Sequence, residues 1–251
     1  MTTSIIYEPK GRAREYAALA ANLYSGCQHG CKYCYAPKAT FKDRVAFHGN
    51  VGVRHGIMAK FEADCRELRG SGKQVLLSFT TDPYGPIDMT HKLTRRAVEL
   101  LHDNGLFVEI LTKGGMRAAR DFDLLGSSDA FATTMTFLDE ERSRQWEPEA
   151  ALPEDRIQAI KMAHAKDIPT WVSLEPVIDP ETSLEIIRRT YEYVSLYKVG
   201  TLNYDARAKA INWADFGQRA IDLLESLGKA YYIKNDLREK IPDYGRAKAA
   251  C

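Results

Sequence analysis

The stretch "QVLLSFTTDPYGPIDMTHKLTRRAVELLHDNGLFVEILT" (residues 74–112) reads as strand, helix and strand again. Its ends, "QVLLSFTT" (74–81) and "LFVEILT" (106–112), are apolar, β-rich runs of strand length. Between them "THKLTRRAVELLHD" (90–103) is patterned as a helix, with Thr90 as N-cap and Gly105 as stop. Strands joined through a helix lie parallel, so this unit predicts a parallel sheet.

The same alternation extends in both directions. Upstream lies a first candidate strand, "AALAANLYS" (17–25). Downstream come a short helix near 117–125, the strand "AFATTMT" (130–136) and a helix over 153–166 that begins with Pro153. Then follow "PTWVSLEPV" (169–177), a helix over 182–190, "YVSLYKVG" (193–200), a helix over 213–227 and "AYYIK" (230–234). Six or seven such units predict an α/β fold, a partial (β/α)6-type barrel forming a single domain over residues 1–251. Residues 1–60 would form a basic N-terminal segment with a cysteine loop, 61–228 the barrel, and 229–251 a last strand and basic tail. In such barrels chemistry gathers at the C-terminal ends of the strands.

With 251 residues and 45% hydrophobic composition, the chain can bury one sizeable core. It has no apolar run of 18 residues. Its N-terminus, "MTTSIIYEPKGRAREY", lacks a signal-peptide pattern. A cytoplasmic location is therefore expected, the host cytoplasm if the gene is viral. The net charge of +1 is unevenly spread. Residues 1–60 carry nine Lys/Arg against three Asp/Glu, and residues 229–251 carry six against three. Basic ends suit a polyanionic partner such as DNA, although solvated surface charge reads the same way.

"GCQHGCKYCYAP" (26–37) holds three of the five cysteines, Cys27, Cys31 and Cys34, spaced C-x3-C-x2-C. In a reducing compartment such a cluster reads as a metal site. Zinc needs a closed tetrahedron, which His29 or His48 would complete. An iron–sulfur cluster held by three thiolates keeps one iron open for a ligand.

The motif, with Tyr33 before its last cysteine, resembles the radical S-adenosylmethionine (SAM) superfamily. "NLYSGCQHGCKYCYA", "TTDPYGPID" (80–88), "ILTKG" (110–114), "TMTFLDEE" (134–141), "EPEAALPEDRIQAI" (147–160) and "YKVG" (197–200) further resemble the DNA repair photolyase group, typified by spore photoproduct lyase. The resemblance implies that Cys27, Cys31 and Cys34 ligate a [4Fe-4S] cluster whose fourth iron is chelated by S-adenosyl-L-methionine. It implies a radical enzyme that abstracts hydrogen from an unactivated C–H bond, reduced by a donor such as flavodoxin or ferredoxin. It also implies cofactor contacts for Tyr33, Thr81 and Thr134, and for Lys113 a partnership with the methionine carboxylate.

Asp82 and Tyr84, at a strand end before a Pro–Gly turn, are candidates to line the substrate pocket, and Asp82 equally to cap the turn. Glu175 and Lys198 are candidates for the pocket or for an ion pair with each other. Tyr231 and Tyr232, beside Lys234, are candidates to stack on bases. The family's hydrogen-donating cysteine, which precedes the Thr-Ser-Asp turn, is replaced here by Phe79; Cys251 is the remaining candidate donor. Loss of the thiol favours rearrangement of a modified thymine in DNA over cleavage of a thymine photoproduct. A radical enzyme on a protein or small molecule, and a non-catalytic zinc module, are the alternatives from other classes.

Overall fold

The computed structural model describes residues 4–242 and 244. Seven strands form one sheet, and every pairing in it is parallel. They are β1 (Leu19–Ala21), β2 (Gln74–Leu77), β3 (Phe107–Thr112), β4 (Ala130–Thr134), β5 (Thr170–Leu174), β6 (Leu196–Val199) and β7 (Ala230–Ile233), in spatial order identical to chain order. The crossovers carry α1 (Ile57–Glu67), α2 (Leu93–Asp103), a 3-10 turn (Gly115–Asp121), α3 (Pro153–His164), α4 (Pro180–Thr190) and α5 (Trp213–Ser226). This is the expected partial barrel, open between β1 and β7.

Side chains alternate across each strand, so one face of the sheet packs on the helices and the other lines the barrel. Val75, Leu77, Val108, Ile110, Phe131, Val172, Leu174, Tyr197 and Val199 belong to the large core beneath the helices. Ala20, Leu76, Ala130, Ala132 and Trp171 form a smaller inner cluster with Tyr16 and Phe79. Glu109 and Lys198, 3.4 Å apart, belong to the same inner face.

The N-terminal segment bridges the open side. Tyr7 exchanges two backbone hydrogen bonds with Ala20, covering the β1 edge that would otherwise template another strand. At the end of a 3-10 turn over Gly11–Glu15, the Glu15 carboxylate accepts from the Asn235 amide (2.7 Å) and the Tyr232 hydroxyl (3.2 Å). The Tyr16 carbonyl accepts from Lys198 Nζ at 2.8 Å.

Element boundaries differ from the sequence reading where side chains compete for the backbone. Of residues 17–25 only Leu19–Ala21 joins the sheet, because the next residue, Asn22, uses its Oδ1 to accept from the Phe79 and Thr80 amides at 3.0 and 2.9 Å. Tyr24–Ser25 instead pairs antiparallel with Gly52–Val53. The helix expected over 90–103 is two helices, Pro86–His91 and α2, broken at Lys92, whose φ of 50° is left-handed. Thr90 therefore lies within the first helix instead of capping the second.

Phe131 anchors the helix-facing core, its ring 4.8 Å from that of Phe122 in an edge-to-face pair. Phe131→Ala should lower stability by about 3–5 kcal/mol in urea unfolding, the usual cost of emptying a buried Phe site. A loss below 1 kcal/mol would show that this core collapses freely around the gap.

Candidate active site

A cavity of about 630 Å3 opens at the C-terminal ends of the strands. It is lined by Cys27, Cys31 and Cys34, by Ser78–Asp82 beyond β2, and by Lys113, Thr134 and Glu175 beyond or at the ends of β3, β4 and β5. Lys234, beyond β7, and Lys10, Arg12 and Tyr16 from the N-terminal segment complete much of the wall.

The cysteine loop is fixed at its base and along its length. Gly26 has φ +78°, and a Cβ there would lie 2.4 Å from the Phe47 carbonyl oxygen, so only glycine fits. The Cys27 carbonyl lies 2.8 Å from His48 Nδ1. Arg44 donates to the carbonyls of Cys31 and of Cys34, the latter at 3.1 Å. Tyr33 donates its hydroxyl to Glu147, which also receives Arg156 in a fully buried ion pair. A backbone bond from Lys32 to Trp146 (2.8 Å) reinforces this anchorage.

Asp82 joins that loop to the sheet. Its carboxylate accepts from the Tyr84 amide (2.9 Å), the Thr112 hydroxyl (2.5 Å) and the Lys113 amide (2.8 Å). His29 Nδ1 lies 3.4 Å away. Burial opposes its charge, but His29 and these hydrogen bonds hold the carboxyl below its usual range. Asp82 thus both caps the turn and lines the cavity. Burial drives His29 down to about 4, leaving a neutral ring whose Nε2 accepts from Arg117 at 3.2 Å.

His29, one of the two histidines that would complete a zinc tetrahedron, is therefore engaged with Asp82 and Arg117, while His48 gives Nδ1 to a backbone carbonyl, keeps a buried and unpartnered Nε2, and lies outside the cavity wall. Among the described residues no three His, Cys, Asp or Glu side chains converge on a single ion position. Three thiols around one cavity without such convergence suit ligands of different irons in one cluster. Burial pushes all three thiols up, Cys31 to about 12, while Lys113 pulls Cys31 and Cys34 the other way. The Ser78 and Thr81 hydroxyls in the same wall are buried without a hydrogen-bond partner, which a polar cofactor in the cavity would supply. The residues present fit a cluster and its nucleoside cofactor.

The family model of the radical SAM superfamily matches residues 21–194. The chain belongs to that superfamily. It is a radical SAM enzyme, of the class that uses a [4Fe-4S] cluster and S-adenosylmethionine. An uncharacterized protein of Methanocaldococcus jannaschii is 29% identical over 193 residues, 76% of this chain and 72% of its own length. A cysteine-to-serine mutant of spore photoproduct lyase superposes with a TM-score of 0.70 at 13% identity, covering 93% of this chain and 79% of the lyase. Another mutant, with bound AdoMet and dinucleoside spore photoproduct, superposes at 0.66 with 15% identity, covering 91% and 78%. At these identities the likeness is one of fold.

Among the expected site residues, Cys27, Cys31, Cys34, Tyr33, Thr81, Asp82, Lys113, Thr134 and Glu175 meet in the cavity wall. Lys113 Nζ sits 5.6 Å over the Tyr33 ring. Four others lie elsewhere. Tyr84 is fully buried, with Arg120 5.4 Å over its ring. Lys198 lies on the inner face of the barrel, 4.1 Å over the Trp171 ring. Tyr231 donates to Glu225 (2.5 Å) and Tyr232 to Glu15. The expected Glu175–Lys198 pair does not form: Lys198 stands level with Ser173, two residues below Glu175, and reaches Glu109. Glu175 instead receives Lys234, Tyr16 at 2.6 Å and Asn203 at 3.2 Å.

Sequence reasoning missed Tyr16, Asn22, Glu147 and Arg156. The last two lie within the quoted stretch 147–160, Glu147 ahead of α3 and Arg156 in its first turn, and their signal was two opposite charges nine residues apart.

Glu147→Ala should cost about 3–5 kcal/mol in urea unfolding, because it strands the Arg156 guanidinium in the interior. Unchanged unfolding would show that water reaches the pair. Cys31→Ala should abolish iron incorporation on anaerobic reconstitution, against about four irons per wild-type chain. Stoichiometric zinc without iron in the wild type would overturn the cluster assignment.

Proposed function

We propose that this enzyme abstracts hydrogen from a thymine-derived base in DNA and rearranges a substituent on that base. When bound, the cluster and S-adenosylmethionine supply a radical able to take hydrogen from an unactivated C–H bond. The protein's own residues hold, orient and enclose. In this reading Lys113 neutralises the methionine carboxylate, with Tyr33 beneath its ammonium, and Thr81, Ser78 and Thr134 meet the rest of the cofactor.

The observation that carries the reading is the position of Phe79 in the cavity wall. Among the described residues, the only thiols lining the cavity are Cys27, Cys31 and Cys34; Cys65 is buried in α1, and Cys251 lies outside the described residues. A product radical formed here meets an aromatic ring where a donor thiol would be required to deliver a new hydrogen. A redox-neutral rearrangement, in which the abstracted hydrogen is returned, needs no such donor. Photoproduct cleavage is the second reading, supported by the spore photoproduct lyase fold, and it shares the same first abstraction.

The basic segment 1–60 supports DNA as the substrate, since Lys10 and Arg12 stand in the cavity wall itself. The base must leave the stack to reach the cysteines, at a cost of a few kcal/mol.

Lys113→Ala should weaken S-adenosylmethionine binding by about 1.5–3 kcal/mol, with cluster iron unchanged. Equal affinity in equilibrium dialysis would remove Lys113 from the cofactor site. Deuterium placed at the abstracted position should wash into the S-adenosylmethionine pool over many turnovers. Accumulation of one 5′-deoxyadenosine per product, with no deuterium in the pool, would contradict rearrangement by hydrogen return.

A further inference from the structure

Two aromatic rings stand outside the core, and one of them lines the cavity. Phe41 is 97% exposed and Tyr204 77% exposed, and both sit at left-handed backbone, φ 54° and 61°. Tyr204, in the loop after β6, lines the cavity. Phe41 follows the short helix Ala36–Ala39 that leaves the cysteine loop, and its amide donates to the Lys38 carbonyl at 3.2 Å. Lys38, three residues before Phe41, holds its Nζ 5.2 Å over Tyr204, while Arg12, from the N-terminal segment and 3.9 Å from the Asp236 carboxylate, approaches the same ring at 6.0 Å. Three separate parts of the chain thus meet at Tyr204, with Phe41 one turn along the chain from Lys38.

An exposed Phe in left-handed backbone is doubly unfavourable for a free chain, since ring and backbone both have better states. A partner that covers the ring offsets that cost. The cations over the neighbouring Tyr204 ring select an anionic partner, and flat rings select one with flat apolar faces. Nucleic acid bases with their phosphates meet both requirements. The cavity behind the rim, about 630 Å3, is far too small to admit a duplex.

We infer that Phe41 and Tyr204 form a stacking platform for unpaired bases of DNA at the cavity mouth, with Arg12 and Lys38 neutralising the adjoining phosphates. The inference rests on the DNA reading above and assigns the residues that hold the strand while one base enters. These rim residues take the place that Tyr231 and Tyr232 were expected to fill.

The test uses anaerobically reconstituted holoprotein and a fluorescein-labelled oligothymidylate, followed by anisotropy over a salt series. The single strand should bind more tightly than a duplex of the same length. Phe41→Ala and Tyr204→Ala should each raise Kd about tenfold, within the range for loss of one base–aromatic stack. Tyr204→Phe should bind like wild type, because the ring and not the hydroxyl does the stacking. Lys38→Ala should reduce the slope of log Kd against log salt by about one. Cluster iron should be unchanged throughout, separating rim effects from damage to the cysteine loop. If the wild type binds the strand and both alanine variants bind it equally well, the platform is wrong while the DNA reading stands. If the wild type binds no DNA, the functional reading fails with it. Loss of binding to vesicles of phosphatidylglycerol and phosphatidylcholine in Phe41→Ala, with oligothymidylate binding intact, would reassign the rim to a lipid surface.

Discussion

The buried carboxylate of Asp82 is the junction on which the site depends. It accepts hydrogen bonds from the turn after β2 and from both the side chain and the backbone at the end of β3, and it faces His29 of the cysteine loop. A buried carboxylate is tolerated only when its lone pairs are filled, and here the filling groups come from three separate elements. The charge therefore does mechanical work: to stay satisfied, the two strand ends and the loop must keep one relative position. Asn22 repeats the device on a smaller scale by joining the end of β1 to the turn after β2.

The barrel interior separates its charges by depth. Glu109 and Lys198 neutralise each other on the inner face, closed off by Trp171 and Tyr16. Glu175 and Lys234 form a second pair at the strand ends, where Tyr16 and Asn203 also reach the carboxylate. Burial lowers the Lys198 ammonium and raises the Glu109 carboxyl, each offset in part by the other. The wall that includes the cysteines carries Lys113, whose ammonium favours anionic groups on that side.

Much of this was legible in the sequence because it rests on local pattern. β-rich apolar runs gave the seven strands, and the C-x3-C-x2-C spacing gave the loop, since both signals lie within a few residues. Strand ends were read too long: Ser78–Thr81 leave the ladder to line the cavity, a choice made by Asn22, 56 to 59 positions away in the chain. Tyr16 reaches Glu175 across 159 positions and Tyr33 reaches Glu147 across 114, and no window of sequence shows such pairs. Phe79 was recognised from its place in a motif, and the fold puts its ring on the inner face. Lys198 and Glu175 were paired by strand adjacency, but level along the strand decides who meets whom, and each found a different partner.

The reaction proposed for this radical SAM barrel, whose cavity is lined among the described residues by no thiol beyond Cys27, Cys31 and Cys34, is rearrangement of a modified thymine base. Nucleoside mass spectrometry after anaerobic incubation with reductant, S-adenosylmethionine and DNA carrying an amino-acid-substituted thymine methyl tests it most directly. The account predicts a product nucleoside of unchanged mass and altered retention, formed in many turnovers per enzyme. A product of lower mass, or restored thymine from photodamaged DNA alone, would contradict it.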